Sequence, residues 1–336
     1  MNQMFDRRRF LIGTGLAGIA LAAPAIVRAA NRRLTIVSNP GLENATLNAL
    51  MDRQGYFQQF DVEAEIIELP GATGPFDAIL AGQGDVCMVS GYNLVLARIA
   101  QGAPVRIIGA GMRKVALALY TRTPDIRGLA DLPGRTIAVG PELGLLHMLT
   151  AELLKQHGLD PARVTFLDKG SNDQAYQAVV RGEADACCSS ISHLHDADDL
   201  TLLDGGKLWE GLPRYTFQTA YAAQSALRDK PEVLTAALAA YGALYDYLMS
   251  PAARDAFFDA RRQAQKTFDA ASALAVWEFN QNERPYTRDL TIGDDGIDDL
   301  QQVLIGAGAL EDRQPVAAVA DMSCARAAAR LFSTAR

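Results

Sequence analysis

The sequence predicts an α/β fold. Segments typical of short strands alternate with helical segments from residue 33 to residue 222, and this alternation favours parallel sheets with helices on both faces. The same order occurs twice. Residues 78–86 (AILAGQGDV) and 178–186 (AVVRGEADA) introduce the third strand of each half: a helix ends at Gly82 or Gly182, and Asp85 or Asp185 leads into an apolar strand. We therefore expect two related αβ units.

The first half begins with a strand over 33–38. A helix over 42–54 follows, because Leu47, Leu50 and Met51 recur on one face and Gly55 ends the pattern. Thr73 is a candidate N-cap for a helix over 75–81. The other strands are expected over 62–69, 85–89, 105–110 and 115–121, and another helix over 94–101.

The second half repeats the pattern. Strands are expected over 136–139, 164–167 and 184–188, with helices over 145–157 and 174–181. Two more strands are expected over 201–203 and 215–222. Beyond residue 225 the chain is predicted to be mainly helical, with helices over 231–249, 254–265, 270–280 and 296–306.

The first thirty residues have the pattern of an export signal. A twin-arginine motif (DRRRFL, 6–11) precedes a short apolar stretch interrupted by Gly and Pro, and Ala29-Ala30 offers small residues for cleavage. The stretch is too short and too rich in Gly and Ala for a membrane anchor. An amphipathic N-terminal helix is the alternative. The sequence thus predicts twin-arginine export and a periplasmic mature chain that begins near residue 30 or 31.

Composition and charge narrow the class of partner. The chain has 336 residues and a formal net charge of −7. Residues 1–30 carry four arginines and one aspartate, a net +3, so the remainder carries −10. Such a balance argues against nucleic-acid binding, which needs a basic face. We expect neither stable membrane insertion nor a cofactor.

Four cysteines are present, Cys87, Cys187, Cys188 and Cys324. They form no CxxC or Cys/His metal spacing. Their strand-like surroundings favour small buried side chains over functional thiols, although export leaves a Cys87–Cys324 disulfide open as an alternative.

Several short motifs together point to a family. They are ELPGAT (68–73), the stretch over 78–86, AQGAPV (100–105), IRGLADLPGRTIAV (126–139) and residues 153–164. In this order they resemble the SsuA/NMT1-like periplasmic substrate-binding proteins of ABC importers, the branch that includes nitrate, aliphatic sulfonate, taurine and thiamine-pyrimidine binders. The resemblance covers about 34–249.

This resemblance implies a type II periplasmic binding protein fold, with two αβ lobes joined by two crossover strands and a ligand cleft between them. The crossovers are expected near 117–121 and 217–221. Lobe I would then be discontinuous, 31–117 plus 222–336, and lobe II would be 118–221. The implied partners are a small-molecule ligand and an ABC permease with its ATPase, and we expect a monomer.

Ligands of α/β proteins bind where parallel strands end, because free backbone N–H groups and helix N-termini face the cleft there. Hydroxyls, amides and an aromatic ring at such points can orient a polar or flat ligand. The candidate ligand-binding residues are Ser38, Asn39, Gly71, Thr73, Ser90, Tyr92 and Asn93 in the first lobe, and Glu142, Leu143, Lys169, Ser171, Asn172, Ser189 and Ser190 in the second.

The candidate loops contain Glu142 and no arginine, the preferred bidentate partner of an oxyanion. This lowers the expectation of nitrate or sulfonate and raises that of a heteroaromatic or amine-bearing ligand such as a pyrimidine. Small aromatic acids stay open.

Two other functions compete. An enzyme related to thiamine-pyrimidine synthases is suggested by Cys187-Cys188 followed by His193 and His195, although this chain has only a cysteine pair. A sensory domain of the same fold is the second. We expect a binding protein and no catalytic residues.

Overall fold

A computed structural model describes residues 32–70, 73–196 and 200–334. The predicted export signal, 1–30, and the candidate residue Gly71 lie outside the described residues. Across the part that is described, no helix is both long and apolar enough to cross a bilayer.

Ten strands can be named along the described chain. They are β1 (Arg33–Ser38), β2 (Glu63–Glu68), β3 (Val86–Ser90), β4 (Val105–Ala110), β5 (Leu117–Thr121), β6 (Thr136–Val139), β7 (Thr165–Asp168), β8 (Ala186–Ser190), β9 (Thr201–Lys207) and β10 (Thr219–Ala223).

The α-helices are α1 (Leu42–Gln54), α2 (Tyr56–Gln59), α3 (Gly74–Leu80), α4 (Tyr92–Ala100), α5 (Leu145–Gln156), α6 (Asn172–Val180), α7 (Leu208–Gly211), α8 (Gln224–Asp229), α9 (Pro231–Leu248), α10 (Arg254–Ala264), α11 (Ala270–Asn282), α12 (Asp294–Gly306), α13 (Val316–Val319) and α14 (Ser323–Thr334). Every helix predicted from the sequence is present; α2, α7, α8, α13 and α14 were not predicted individually.

The strands form two five-stranded sheets, one in each lobe. Their orders are β2-β1-β3-β10-β4 and β7-β6-β8-β5-β9, so the two sheets have equivalent topology. The central strands are almost fully buried; Ile36 in β1 and Ile137 in β6, for example, are at most 1% exposed. The predicted α/β class and the two-lobe division of the fold are confirmed.

The alternation favoured parallel sheets, and β1 and β6 are parallel to both of their neighbours, but both sheets are mixed. In each, the fourth strand in spatial order runs antiparallel to both of its neighbours: β10 to β3 and β4, and β5 to β8 and β9. The reason is topological. These two strands are those that the chain reaches on crossing from the other lobe, so they enter their sheet from the opposite end.

The repeated motif of the two halves has the same structure in both lobes. Gly82 and Gly182 follow α3 and α6 with φ of +71° and +72°, a left-handed conformation that glycine adopts at little cost. Asp85 and Asp185 come next and precede β3 and β8. The repeat seen in the sequence is therefore a repeat of structure. By contrast, Thr73 precedes α3 without a side-chain capping hydrogen bond, so its predicted capping role was wrong.

Two segments connect the sheets, 111–116 and 208–218. They pair with each other, since Gly111 N–H donates to the Gln218 carbonyl at 3.0 Å and Phe217 N–H to the Met112 carbonyl at 2.9 Å. The C-terminal part joins them, because Arg113 N–H donates to the Pro285 carbonyl at 2.7 Å. The connections lie close to the segments expected at 117–121 and 217–221, and the lobe boundaries given above stay a prediction.

Candidate ligand-binding site

A cleft of about 390 Å³ lies between the lobes, next to the connecting segments. Three kinds of segment line it: the loops that follow strands in both sheets, the connecting segments, and the C-terminal helix α11 with the loop after it. The lining residues are Asn39, Gly41, Leu42, Glu43, Asn44, Leu47, Val89, Ser90, Gly91, Met112, Ala116, Leu117, Leu145, Ser171, Asn172, Asp173, Ser190, Ile191, Ser192, Phe217, Gln218, Val276, Phe279, Asn280 and Tyr286. A volume of this size suits a small organic molecule.

Five of the candidate ligand-binding residues line this cleft. Asn39 follows β1, Ser90 ends β3 and Ser190 ends β8, while Ser171 and Asn172 lie at the start of α6. They meet because the carboxyl ends of β1, β3, β7 and β8 face one another across the gap. The strand-end rule therefore identifies the part of the site that the sheets build.

Local hydrogen bonds already engage several of these polar groups. Asn39 Oδ1 accepts from Gly41 N–H at 3.0 Å, Ser190 Oγ from Ser192 N–H at 3.1 Å, and Ser171 Oγ from Gln174 N–H at 3.3 Å as the N-cap of α6. Each acceptor stabilises a turn or a helix start. All three residues also line the cleft, so the same side chains shape the loops and border the cleft.

Three other candidates are buried beneath the cleft. Ser38 donates to the Asn39 carbonyl at 3.3 Å, and Ser189 donates to the Asn172 carbonyl at 2.8 Å. Tyr92 is 0% exposed, and burial raises its pKa far above the usual range of a phenol. Its ring is part of the core, so it does not present a face to a ligand in the cleft.

The remaining described candidates do not line the cleft. Thr73 and Glu142 are exposed and do not line the cleft. Lys169 Nζ donates to Glu183 Oε2 at 2.6 Å, an ion pair on the outer surface of lobe II. Asn93 is only 8% exposed, and its Nδ2 donates to the Leu143 carbonyl at 3.3 Å.

Other contacts also bridge the two lobes. His195 Nε2 lies 2.7 Å from Glu278 Oε2, Lys155 Nζ donates to the Gly306 carbonyl at 2.9 Å, and Arg214 donates to Asp299. All of them join lobe II to helices of the C-terminal part, and all are exposed. Exposed pairs of this kind contribute little each, about 0–1 kcal/mol. These exposed contacts between the lobes are therefore individually weak.

The sequence interpretation missed the apolar and amide walls of the cleft. Phe217 and Gln218 come from the second connecting segment, and Phe279, Asn280 and Tyr286 from α11 and the loop after it. No strand-end motif marks them. Phe279, Asn280 and Tyr286 reach the cleft because α11 packs against the turn at 191–193 of lobe II. This contact joins residues about eighty positions apart in the chain.

Two carboxylates face the cleft, and each has a basic partner behind it. Glu43 Oε1 accepts from Arg261 at 2.6 Å, and the Arg261 side chain is fully buried. Asp173 Oδ1 lies 3.4 Å from His193 Nε2, and His193 Nδ1 lies 2.6 Å from Asp196 Oδ2. No Lys, Arg or His occurs among the described residues that line the cleft.

The carboxylates of Asp173 and Asp196 shift the pKa of His193. Burial lowers its pKa, but hydrogen bonds and charges from Asp173 and Asp196 raise it by more, so the pKa lies above that of a free imidazole. The neighbouring His193 in turn lowers the pKa of Asp173. His193 also stacks on Tyr176, with ring centroids 3.9 Å apart and planes 9° from parallel.

The cysteines offer no reactive thiolate. All four are free and buried, so the Cys87–Cys324 disulfide left open above is not formed. Burial raises the pKa of Cys188 to about 12 and that of Cys187 still higher. The thiols therefore stay protonated at neutral pH and lack the nucleophilic form. The described residues contain no group of three or more His, Cys, Asp or Glu side chains that could hold a metal ion.

Two αβ lobes of equivalent topology, two paired connections and a cleft at the facing strand ends define a two-lobed protein of the type II periplasmic binding protein fold. The chain belongs to the NMT1/THI5-like family, whose model matches residues 50–254. The predicted family is thereby confirmed. No curated protein sequence matches this chain.

Solved structures support the same fold. The periplasmic aliphatic sulphonate-binding protein SsuA from Escherichia coli is 17% identical, with a TM-score of 0.71 over 86% of this chain and 92% of that one. The alkanesulfonate-binding protein SsuA from Xanthomonas axonopodis pv. citri, bound to MOPS, is 18% identical, with a TM-score of 0.68 over 86% and 98%. The desulfurization enzyme DszB is also similar, at 15% identity and a TM-score of 0.62 over 89% and 99%.

Proposed function

We propose that the chain is the solute-binding component of an ABC uptake transporter. It is exported by the twin-arginine route, works in the periplasm as a monomer, and captures a small polar or aromatic ligand between its lobes. The closed form then docks on a membrane permease. The observation that carries this proposal is the cleft of about 390 Å³, to which both lobes and the connecting segments contribute residues.

The mechanism follows from the position of the cleft. A ligand there touches loops of both sheets. Because some of these contacts form only when the lobes are closed, ligand binding stabilises the closed state relative to the open one. Rotation about 111–116 and 208–218 separates the lobes without breaking either sheet, because both strand networks lie outside these connections. The weak exposed contacts between the lobes allow them to reopen for delivery.

The enzyme alternative rests on the similarity to DszB and on the cysteine pair. Against it, Cys187 and Cys188 are buried and their pKa values are raised by burial, so a cysteine nucleophile lacks support in this chain. The two functions differ in the fate of the ligand: a binding protein returns it unaltered, and an enzyme converts it.

The test uses the chain from residue 31 onward, unfolded and refolded to remove any bound solute. A thermal-shift screen covers sulfonates, nitrate, pyrimidines, aromatic acids and amides. A ligand at a hundred times its Kd stabilises the folded state by about 2.7 kcal/mol. Small-angle X-ray scattering then measures closure as a fall in the radius of gyration, and mass spectrometry measures whether the solute is unchanged. Absence of any ligand, or conversion of the ligand, contradicts the proposal.

A further inference from the structure

The cleft contains a buried carboxamide with no partner. Asn280, near the end of α11, is 1% exposed and lines the cleft. Neither its Oδ1 nor its Nδ2 has a hydrogen-bond partner among the described residues. Buried polar groups are almost always paired, because burial removes the hydrogen bonds that water supplies. An amide that lacks both partners in a ligand cleft is therefore a group prepared for a ligand.

A second unpartnered acceptor faces the same cleft. Gln218 Oε1 is buried and likewise lacks a partner in the part of the chain that the structure describes. Gln218 belongs to the connecting segment, whereas Asn280 belongs to the C-terminal helix. Two independent elements thus bring amide groups to one site. The walls beside them are the aromatic rings of Phe217, Phe279 and Tyr286, which suit a flat molecule.

The charges in the cleft argue against an anion. The charged side chains of the lining are the carboxylates of Glu43 and Asp173, and no basic residue lines the described cleft. Arg261 is already engaged with Glu43 and with Ser272 Oγ, at 2.6 and 2.9 Å. An anion would therefore face like charge without a cationic partner, whereas an uncharged ligand avoids this cost.

We propose that Asn280 is the ligand-recognition residue and that the ligand is an uncharged planar amide, either a primary carboxamide or a lactam. Such a group places a donor and an acceptor side by side, the complement of Oδ1 and Nδ2 in one carboxamide. In a primary carboxamide, Gln218 Oε1 accepts from the second N–H of the ligand, which a lactam lacks. This inference rests on the proposed function and names the ligand class of the same cleft. Asn280 lies outside residues 50–254, the part that the family model matches.

The probes are benzamide, benzoate and benzenesulfonate, which share one ring and differ in the head group. Calorimetry measures their affinity for the wild-type chain, for Asn280→Leu and for Asn282→Ala, an exposed asparagine on the same helix. We expect benzamide to bind the wild type at least about tenfold more tightly than either anion. Asn280→Leu should weaken benzamide binding by about tenfold or more, and Asn282→Ala by less than about twofold.

Thermal unfolding separates recognition from a structural role. Since Asn280 satisfies no protein partner, Asn280→Leu should leave Tm unchanged or raise it. A clear fall in Tm overturns the inference, as does unaltered benzamide affinity in that variant. Tighter binding of either anion, or no benzamide binding at about 10 mM, overturns it as well. If another solute still binds and closes the lobes, only this inference fails; if no solute does, the proposed function fails with it.

Discussion

Asp85 and Asp185 make the same pair of hydrogen bonds in the two lobes. Oδ2 of each accepts, at 2.8 Å, the backbone N–H of a threonine on the adjacent central strand, Thr35 in β1 or Thr136 in β6. Each aspartate N–H also donates at 2.9 Å to the carbonyl of that threonine. The aspartate thereby fixes the start of β3 or β8 against the central strand, which sets where the strand ends at the cleft.

Replacement of either aspartate by alanine should destabilise the protein. Asp185→Ala leaves the half-buried Thr136 N–H without an acceptor, at a cost of about 1–3 kcal/mol. Asp85→Ala should cost more, because Lys230 Nζ also loses its partner at 2.7 Å. Urea unfolding at neutral pH measures both. The exposed Asp312→Ala is the control, and the prediction is wrong if it is as destabilising as Asp185→Ala.

Substitution of Tyr92 should lower the stability of the protein, whereas substitution of Asn39 should mainly weaken ligand binding. Tyr92→Ala removes a ring that is 0% exposed and should lower the free energy of unfolding by about 3–5 kcal/mol. Asn39→Ala should lower Tm only slightly, because it removes one exposed turn hydrogen bond, and should weaken ligand binding by about two- to tenfold, the value of one hydrogen bond.

For Asn39 the matched control is Asn48→Ala in α1, which does not line the cleft and whose Nδ2 lies 3.5 Å from Glu68 Oε1. Thermal unfolding measures the Tm of the three variants, and calorimetry measures their affinity for the ligand found in the screen. Equal loss of affinity in Asn39→Ala and Asn48→Ala would remove Asn39 from the site.

The four thiols should not react in the folded protein. Burial raises the pKa of Cys87 to about 11 and that of Cys188 to about 12, so almost no thiolate exists at pH 8. We expect no reaction with Ellman's reagent in native buffer and reaction of all four cysteines in guanidinium chloride. Fast labelling of one thiol in native buffer would show an accessible, activated cysteine and would reopen the enzyme alternative.

His193 should make stability depend on pH in one direction. Its pKa is raised in the folded state, so its stabilising contribution is fully present below the unfolded value of about 6.5 and is lost as the pH rises through the folded value. The lowered pKa of Asp173 sets the acid limit, because protonation of Asp173 removes the same interaction. The wild type should therefore exceed His193→Gln in stability by more at pH 6 than at pH 9.

Urea unfolding across this range measures the difference. Asp173→Asn removes one of the two carboxylates and should reduce the pH dependence while Asp196 maintains part of it. A stability difference between wild type and His193→Gln that does not change from pH 6 to pH 9 contradicts the assignment.

Much of the fold could be predicted because its signals are local. The apolar run of β1, the left-handed glycines after α3 and α6, and the aspartates that follow them each depend on a few neighbouring residues. The direction of β5 and β10 was not predictable in this way. Whether a strand lies antiparallel to its neighbours depends on how the chain crosses between the sheets, and the composition of the strand does not indicate this.

The residues of the candidate site likewise fall into those that local sequence patterns predict and those that they do not. Asn39, Ser90, Ser171, Asn172 and Ser190 line the cleft because each ends a strand or follows one, a position that periodicity reveals. Tyr92 stands at a strand end too, but the first turn of α4 directs it into the core. One helical turn is enough to reverse the direction of a side chain.

By itself the sequence determined the order of strands and helices, the repeat of two αβ units and the loops that face a cleft, since each follows from short-range patterns. The tertiary structure alone decided which side chains close that cleft. Phe279, Asn280 and Tyr286 reach it only because α11 folds back over lobe II, and contacts between segments so distant in the chain arise from packing rather than from any local pattern.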